Sequence, residues 1–231
     1  YDSEMQMYFS NLAIDAPVGF VLYRGVMADS VKYNRDKMRA VILRVCHSCN
    51  PSDLGAVKLN KVLYFLDMIS YAHRRQAVTG ATYRKRPNGP TSDQLLFLLR
   101  DMQEQGEIHV DDVDYHGFIK KHYVALVDEP AGILTNEETA ILDDVIDFVC
   151  RRNTAKSISD YSHKLPWELA EMGDVIEYHT AILLFPNEPS PKAFELAKEG
   201  AKEVEASQSA GNAVAVASLA DFRDRLLAAS R

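Results

Sequence analysis

The sequence is poor in cysteine and contains no long apolar run. Its three cysteines among 231 residues are too few for a disulfide framework, so a reducing compartment, the cytoplasm, is expected. No apolar run approaches the roughly 20 residues that a membrane-spanning helix needs, and no basic flank followed by an apolar stretch marks a secretory signal. We therefore predict a cytoplasmic protein that does not insert into a membrane.

Motifs for common catalytic and cofactor sites are missing as well. The chain has no Gly-rich phosphate loop, no HExxH zinc motif and no GxSxG nucleophile motif. His163 is the one histidine near a recognisable motif, with Asp160 and Ser162 close to it in sequence. Neighbours along a helix point in different directions, so this adjacency favours a buried histidine that caps a turn over a catalytic base. We predict no enzymatic activity and no cofactor.

Two of the cysteines, Cys46 and Cys49, have the spacing of half a zinc site or of a redox pair. A structural zinc site needs four ligands, and no second pair follows at a suitable distance. The favoured interpretation is a helix end that carries two half-buried thiols, so no metal site is predicted.

Charge is spread unevenly along the chain. Twelve Lys or Arg and three acidic residues give the segment 31–86 a charge of +9, so the total of −7 leaves −16 for the remainder. This asymmetry has two interpretations: a solvated basic face, or a patch that receives an anionic partner, either a protein or a nucleic acid. The pI of about 5.5 argues against a dedicated DNA-binding protein.

A chain of this length, with 47% hydrophobic residues, has enough apolar surface for a sizeable core. The most regular stretch lies at 58–69, where apolar residues recur at steps of three and four. These residues are Leu59, Val62, Leu63, Leu66 and Ile69. The spacing predicts a central helix that Ser52 or Asp53 caps and that runs to about Arg75.

Other segments complete a mainly α fold with a small β element, a compact helical domain with a short β-hairpin (α+β). Helices are predicted at 35–47, 93–105, 135–153, 154–161 and 166–173, and strands at 82–86, 107–110 and 118–127, with a turn at 114–117. Thr91 or Ser92 is expected to open the second of these helices and Gly106 to end it. Thr135 and Glu138 form a capping box at the start of the third.

Composition divides the chain into three parts. Residues 1–34 are predicted to be an N-terminal extension, 35–185 the domain, and 186–231 a helical C-terminal tail rich in Ala, Glu, Lys and Ser. Segments 1–33 and 191–231 contain apolar residues without an obvious place in the core, including Phe20 and Phe222. We expect both segments to pack on the domain or on a partner.

Several short motifs occur in a distinctive order. KLNKVLYF at 58–65 is followed by TGATY at 79–83, NGP at 88–90, the strand pair, SDYSH at 159–163 and PW at 166–167. This set resembles the Panacea domain, the SocA-like antitoxin family, over about 35–185. Two positions depart from the family pattern: Asn88 stands where an aromatic residue is usual, and Ile158 where Leu is usual.

The resemblance implies a mostly helical domain whose members are antitoxins of bacterial or phage toxin–antitoxin pairs. Such proteins neutralise a toxin by binding it, and one member is a proteolytic adaptor that also delivers its toxin for degradation. The toxins paired with the family include alarmone synthetase-like, Fic-like and ribonuclease-like proteins. The implied partner here is therefore a cognate toxin, with a protease and a second copy as further candidates. The alternative functions are a proteolytic adaptor that delivers the toxin for degradation and a DNA-binding autorepressor, although the pI argues against a nucleic acid as the partner.

Partner-contacting residues are predicted on the termini and the motifs. They are Tyr8, Phe9, Phe20, Tyr23, Asn60, Lys61, Tyr64, Arg84, Arg86, Asn88, His163, Trp167, Phe222 and Leu226. For Asn60 and Tyr64 an internal hydrogen bond to a nearby loop is the favoured alternative, because buried polar groups are normally paired. Arg84, Lys85 and Arg86 are expected to form a cationic edge that meets an acidic toxin surface or a nucleotide phosphate.

Overall fold

The computed structural model describes residues 31–115 and 117–184, and within them the predicted fold class is confirmed. The helices are α1 (Arg35–Ser48), α2 (Ala56–Arg74), α3 (Leu95–Glu104), α4 (Asn136–Ile146), α5 (Ala155–Ser162) and α6 (Leu165–Leu169). A π-helical turn at Asp147–Arg151 follows α4, and a 3-10 helix at Tyr178–Leu184 closes the described chain. The strands are β1 (Tyr83–Arg84), β2 (Thr91–Ser92), β3 (Ile108–Tyr115) and β4 (Phe118–Ala125).

Helix α2 is the centre of the core. It is buried on most of its surface and lies against α4, α5, β2 and the 3-10 helix, as the apolar run in its sequence predicts. Its start differs from the prediction, because Gly55 is the N-cap residue and no side chain caps the helix. Ser52 and Asp53 instead lie in a preceding turn whose N–H groups bond to the side chain and the carbonyl of Asn50.

Helix α1 contains four of the basic residues of 31–86 whose charge is balanced by acidic residues from later in the chain. Asn34 caps it by accepting from the Lys37 N–H, and one face of the helix is buried. Six of the twelve basic residues of 31–86 form ion pairs with acidic residues later in the chain. They are Arg35 with Asp101, Lys37 with Glu138, Arg39 with Glu107, Arg44 with Glu129 and Asp143, Arg74 with Glu137 and Glu138, and Arg84 with Asp93. Folding therefore neutralises much of the basic segment internally.

The prediction that Thr91 or Ser92 opens a helix is wrong, because these two residues form strand β2. Thr91 and Ser92 pair with β1 in antiparallel register, Tyr83 opposite Ser92, rather than opening a helix. Helix α3 begins only at Leu95, and Gly106, with φ +71°, follows its end as predicted. The polar residues before an apolar run are equally suited to a short strand, so the local sequence does not distinguish the two.

The hairpin β3–β4 is longer than predicted. The register continues to Tyr115 opposite Phe118, which leaves a two-residue turn where Gly117 has φ +83°. The predicted first strand ends at Val110, before Asp111, Asp112 and Asp114, because aspartate is depleted in strands. A cross-strand ion pair between Asp112 and Lys121 compensates for that preference.

The C-terminal half of the described domain packs on α2. Thr135 and Glu138 form the predicted capping box at α4, and Thr154 caps α5. The helix predicted at 135–153 changes to π geometry after Ile146, which the sequence pattern did not indicate. The phenyl ring of Phe148 meets Phe65 edge-on at 6.1 Å, so the π turn still contributes to the core.

The terminal segments lie mostly outside the described residues. Six of the predicted partner-contacting residues belong to them: Tyr8, Phe9, Phe20, Tyr23, Phe222 and Leu226. The division of the chain at 34 and 185 stays a prediction. Among the helices of the described residues, none combines the length and apolarity that crossing a bilayer would require.

Candidate functional site

The separate motifs of the sequence meet at one glycine in the Asn88–Pro90 turn. Gly89 has φ +92°, and a Cβ atom built on it would lie 2.2 Å from Lys61 Nζ, 2.5 Å from Ser162 Oγ and 3.1 Å from His163 Nε2. Real Cβ atoms do not approach other atoms that closely, so only glycine fits this backbone and this space. We call these four residues the turn cluster.

Lys61 enters the turn cluster from α2. It is only 1% exposed, and its ammonium donates to the carbonyl oxygens of Asn88 at 2.8 Å and Pro90 at 3.4 Å. Burial lowers the pKa of Lys61 to about 7, because the charged form loses its hydration. The two carbonyls act against that shift, since they bind the ammonium form. Lys61 therefore links α2 to the backbone of the Asn88–Pro90 turn.

Helix α5 fixes the same turn from the other side. Ser159 Oγ donates to the Asn88 carbonyl at 3.0 Å, and Ser162 Oγ donates to the Ser159 carbonyl at 2.7 Å. The carbonyl of Asn88 thus accepts from α2 and from α5 at once. The exposed Asn88 side chain is free of this bonding, which uses only the backbone of the residue.

His163 and Trp167 form the outer wall of the cluster. Their rings are stacked, with centroids 4.0 Å apart and planes 16° from parallel. Trp167 Nε1 donates to the Arg86 carbonyl at 3.2 Å, and the ammonium of Lys85 lies 4.0 Å from the indole ring centroid. Burial, followed by the nearby charge of Lys61, lowers the pKa of His163. Its Nε2 has no hydrogen-bond partner within the described chain.

A second buried group, Asp67, holds the TGATY turn in place. Its carboxylate is fully buried and accepts from the Thr79 N–H at 2.6 Å, the Thr79 hydroxyl, the Tyr83 hydroxyl at 2.8 Å and the Tyr178 hydroxyl at 3.1 Å. Burial raises the pKa of Asp67, although these hydrogen bonds act in the opposite direction. Sequence reasoning missed this role; an acid inside an apolar helix, upstream of a Thr-Gly turn, was the available signal.

The two polar residues predicted beside the apolar face of α2 have different surroundings. Asn60 makes the expected internal bond, accepting from the Ser92 N–H at 3.2 Å and donating to the Ala56 carbonyl. Tyr64 is fully buried between the rings of Phe65 and Tyr83, and burial raises its pKa. Its hydroxyl finds no partner among the described residues. Tyr64 and Lys61 are therefore not on the surface that a partner would meet.

The predicted cationic edge is largely used inside the domain. Arg84 pairs with Asp93 at 2.7 Å and donates to the Gly173 carbonyl, while Lys85 donates to the Ala170 carbonyl. These bonds fasten the segment that follows α6 beside the turn. Arg86 is exposed next to Trp167.

Two large apolar side chains that follow Trp167 in the chain are exposed to solvent. Leu169 is 67% exposed and Met172 60% exposed, and both belong to the segment that Lys85 and Arg84 fasten. We define the turn surface as Arg86, Asn88, Trp167, Leu169 and Met172. Within this surface, the turn cluster and Ser159 hold the backbone of Asn88.

The cysteines are all free and buried. Cys49 and Cys150 share a hydrogen bond that lowers the pKa of Cys49, a contact that the sequence did not suggest. Burial raises the pKa of Cys46 to about 12. Groups of three or more His, Cys, Asp or Glu that could hold a metal ion do not occur in residues 31–115 and 117–184.

Comparison with known proteins gave a match over part of the chain. Residues 59–168 match the family model described as antitoxin SocA-like, Panacea domain. The matched range contains the whole turn cluster and Trp167, but not α1. A search of curated proteins and a search of solved structures each gave no match.

Proposed function

We propose that this protein is the antitoxin of a bacterial or phage toxin–antitoxin pair and neutralises its toxin by direct binding, since residues 59–168 match the family model described as antitoxin SocA-like, Panacea domain. The observation that carries the proposal is the meeting of the family motifs at one rigid turn. Lys61, Gly89 and Ser162 come from three separate parts of the chain, and their bonds serve to fix the backbone beneath one surface.

We assign the toxin contact to the turn surface. Leu169, on the same short helix as Trp167, and Met172 present apolar side chains to solvent, and the indole of Trp167 bonds to the backbone of the exposed Arg86; apolar, aromatic and Arg side chains of this kind occur at the centres of protein interfaces. Apolar burial contributes roughly 25 cal/mol per Å2. A backbone that is already fixed loses little entropy on binding, so more of that contribution remains as affinity.

We further propose that the protein acts by binding and not by catalysis, in the cytoplasm. The hydroxyl of Ser162 already donates to the Ser159 carbonyl, and the ring of His163 lies flat against Trp167. Neither arrangement places an activated nucleophile beside a base, as covalent catalysis requires. The polar groups of the turn cluster instead support the turn.

The test is co-expression with the protein encoded by the adjacent gene. The expected result is that the pair co-purifies and that growth arrested by the toxin is restored. The double variant Leu169→Glu/Met172→Glu should weaken binding at least about tenfold, because it places charge in an apolar contact. Ile119→Glu is the matched control, since Ile119 is 78% exposed on β4 and does not belong to the turn surface.

The outcomes separate the two parts of the proposal. If the unmodified pair neither co-purifies nor restores growth, the antitoxin function is wrong. If it does both but the double variant binds as tightly as the control, the function stands and the assignment to the turn surface is wrong. Deleting 1–30 or 187–231 in the same assay tests whether the terminal segments also contact the toxin, as their apolar residues predict.

A further inference from the structure

A groove of about 400 Å3 lies between α3 and the β3–β4 hairpin, and none of its lining residues belongs to the turn surface. Its apolar lining comes from Leu96 and Leu99 of α3 and from Val110 and Tyr123 of the hairpin. Arg100 and Lys121 also line the groove. Arg100 forms an ion pair with Glu104 of the same helix, and Lys121 forms one with Asp112 of the opposite strand.

The outer face of α3 is unusually apolar for a surface. Leu96 is 75% exposed and its neighbour Phe97 64% exposed, although Leu95 and Leu98 on either side are buried in the core. Leu96 lines the groove, and Phe97 adds a second exposed apolar side chain on the adjoining side of the helix; we call these two residues the exposed patch, and exposed apolar surface of this kind on a soluble domain marks a contact site.

The beginning of the described chain lies beside this same helix. Arg35 pairs with Asp101 of α3 at 3.0 Å, and the Asn34 N–H donates to the Thr79 carbonyl at 2.7 Å. Phe97 precedes Asp101 by one helical turn and so lies on the same side of α3. The thirty residues that precede Val31 therefore join the domain next to the exposed patch.

That N-terminal stretch contains one apolar run, VGFVLY at 18–23. Val31 lies eight positions after Tyr23, and an extended chain spans about 3.3 Å per residue step, or roughly 26 Å. Helix α3, with ten residues, is about 15 Å long. The run can therefore reach every part of the groove.

We propose that residues 18–23 of the chain itself cover this groove, with Phe20 and Leu22 as the side chains that enter it. In an extended segment alternate residues point to the same side, which gives these two a common face. A short linker keeps the segment at an effective concentration in the millimolar range, above that of any second copy or partner. The inference is independent of the proposed function, because the groove and the turn surface share no residue.

Hydrogen exchange of the full-length protein tests the proposal. Amides of 19–23 should exchange at least about tenfold more slowly than in an unstructured peptide of the same sequence. Leu96→Glu should return them to the unstructured rate, because it places a charge in the groove. Ile119→Glu, an equally exposed site outside the groove, should leave the protection unchanged. Both side chains are exposed, so neither variant disturbs the core.

Three results would overturn the proposal. The first is exchange of 19–23 at the unstructured rate in the unmodified protein. The second is protection that Leu96→Glu does not reduce, which would place the segment elsewhere. The third is protection that disappears on dilution from about 50 to 1 μM, which would make a second copy the occupant.

Discussion

The close packing around Gly89 makes a sharp prediction about stability. Gly89→Ala requires a Cβ atom 2.2 Å from Lys61 Nζ and 2.5 Å from Ser162 Oγ, on a backbone with φ +92°. Gly173 offers a matched control, because its φ is +95° and a Cβ there would meet nothing within 4 Å. The two substitutions share the backbone strain, and only the first has the steric conflict.

The magnitudes follow from these two terms. Placing Ala in a left-handed conformation costs about 1–2 kcal/mol, which should be the whole effect at Gly173. At Gly89 the displacement of Lys61 and Ser162 adds the cost of overpacking, about 1–3 kcal/mol. Gly89→Ala should therefore lower the free energy of unfolding by about 2–5 kcal/mol, against about 1–2 kcal/mol for Gly173→Ala.

Urea unfolding of both variants measures the difference. With a slope of about 2 kcal/mol per M, typical of a domain of this size, the midpoint should fall by about 1–2.5 M for Gly89→Ala and by about 0.5–1 M for Gly173→Ala. Coincident midpoints for the two variants would refute the reasoning, because they would mean that the turn cluster is not closely packed around Gly89.

Three further predictions concern the buried charges. Asp67→Ala should lower the free energy of unfolding by more than about 4 kcal/mol in urea titrations, because it leaves several buried donors unpaired, and a loss below about 1 kcal/mol would contradict the arrangement. The pKa of Lys61 is lowered to about 7 in the folded protein, so unfolding takes up a proton between about pH 7 and 10.5. The free energy of unfolding should therefore rise by up to about 5 kcal/mol over that pH range, and the variant Lys61→Met should lack this rise. For Glu138, burial acts to raise the pKa, but the hydrogen bonds from Lys37 at 2.6 Å and from the Thr135 N–H lower it overall. The stabilisation by Glu138 is therefore present above the unfolded pKa and is lost as pH falls through the folded pKa. Glu138→Gln should cost about 1–3 kcal/mol at pH 7 and progressively less in acid, which thermal unfolding across pH measures.

Local signals in the sequence were sufficient for most helices. The periodic apolar run predicts α2, and the Thr135–Glu138 capping box predicts the start of α4, because helices depend on contacts three and four residues apart. The extent of strand β3 could not be predicted in the same way. Asp112 has a low strand preference, and it lies in β3 opposite Lys121, whose ion pair with it across the hairpin compensates for that preference.

The candidate site could be predicted only as separate pieces. Lys61 and Asn88 are 27 residues apart, and Ser159 is 71 residues from Asn88, so nothing in the local sequence indicates that they meet. The same limit applies to charge. The basic excess of 31–86 allows either a solvated face or a binding patch, and the sequence does not indicate that six of its twelve basic residues pair with acids from later in the chain, such as Arg39 with Glu107.

Direct binding between the purified full-length protein and the product of the adjacent gene tests the central claim most directly. The account predicts a stable complex whose formation ends the toxin's activity in a purified assay and whose affinity falls at least about tenfold with Leu169→Glu/Met172→Glu. A toxin that stays fully active in the presence of excess unmodified protein, with no complex formed, would contradict it.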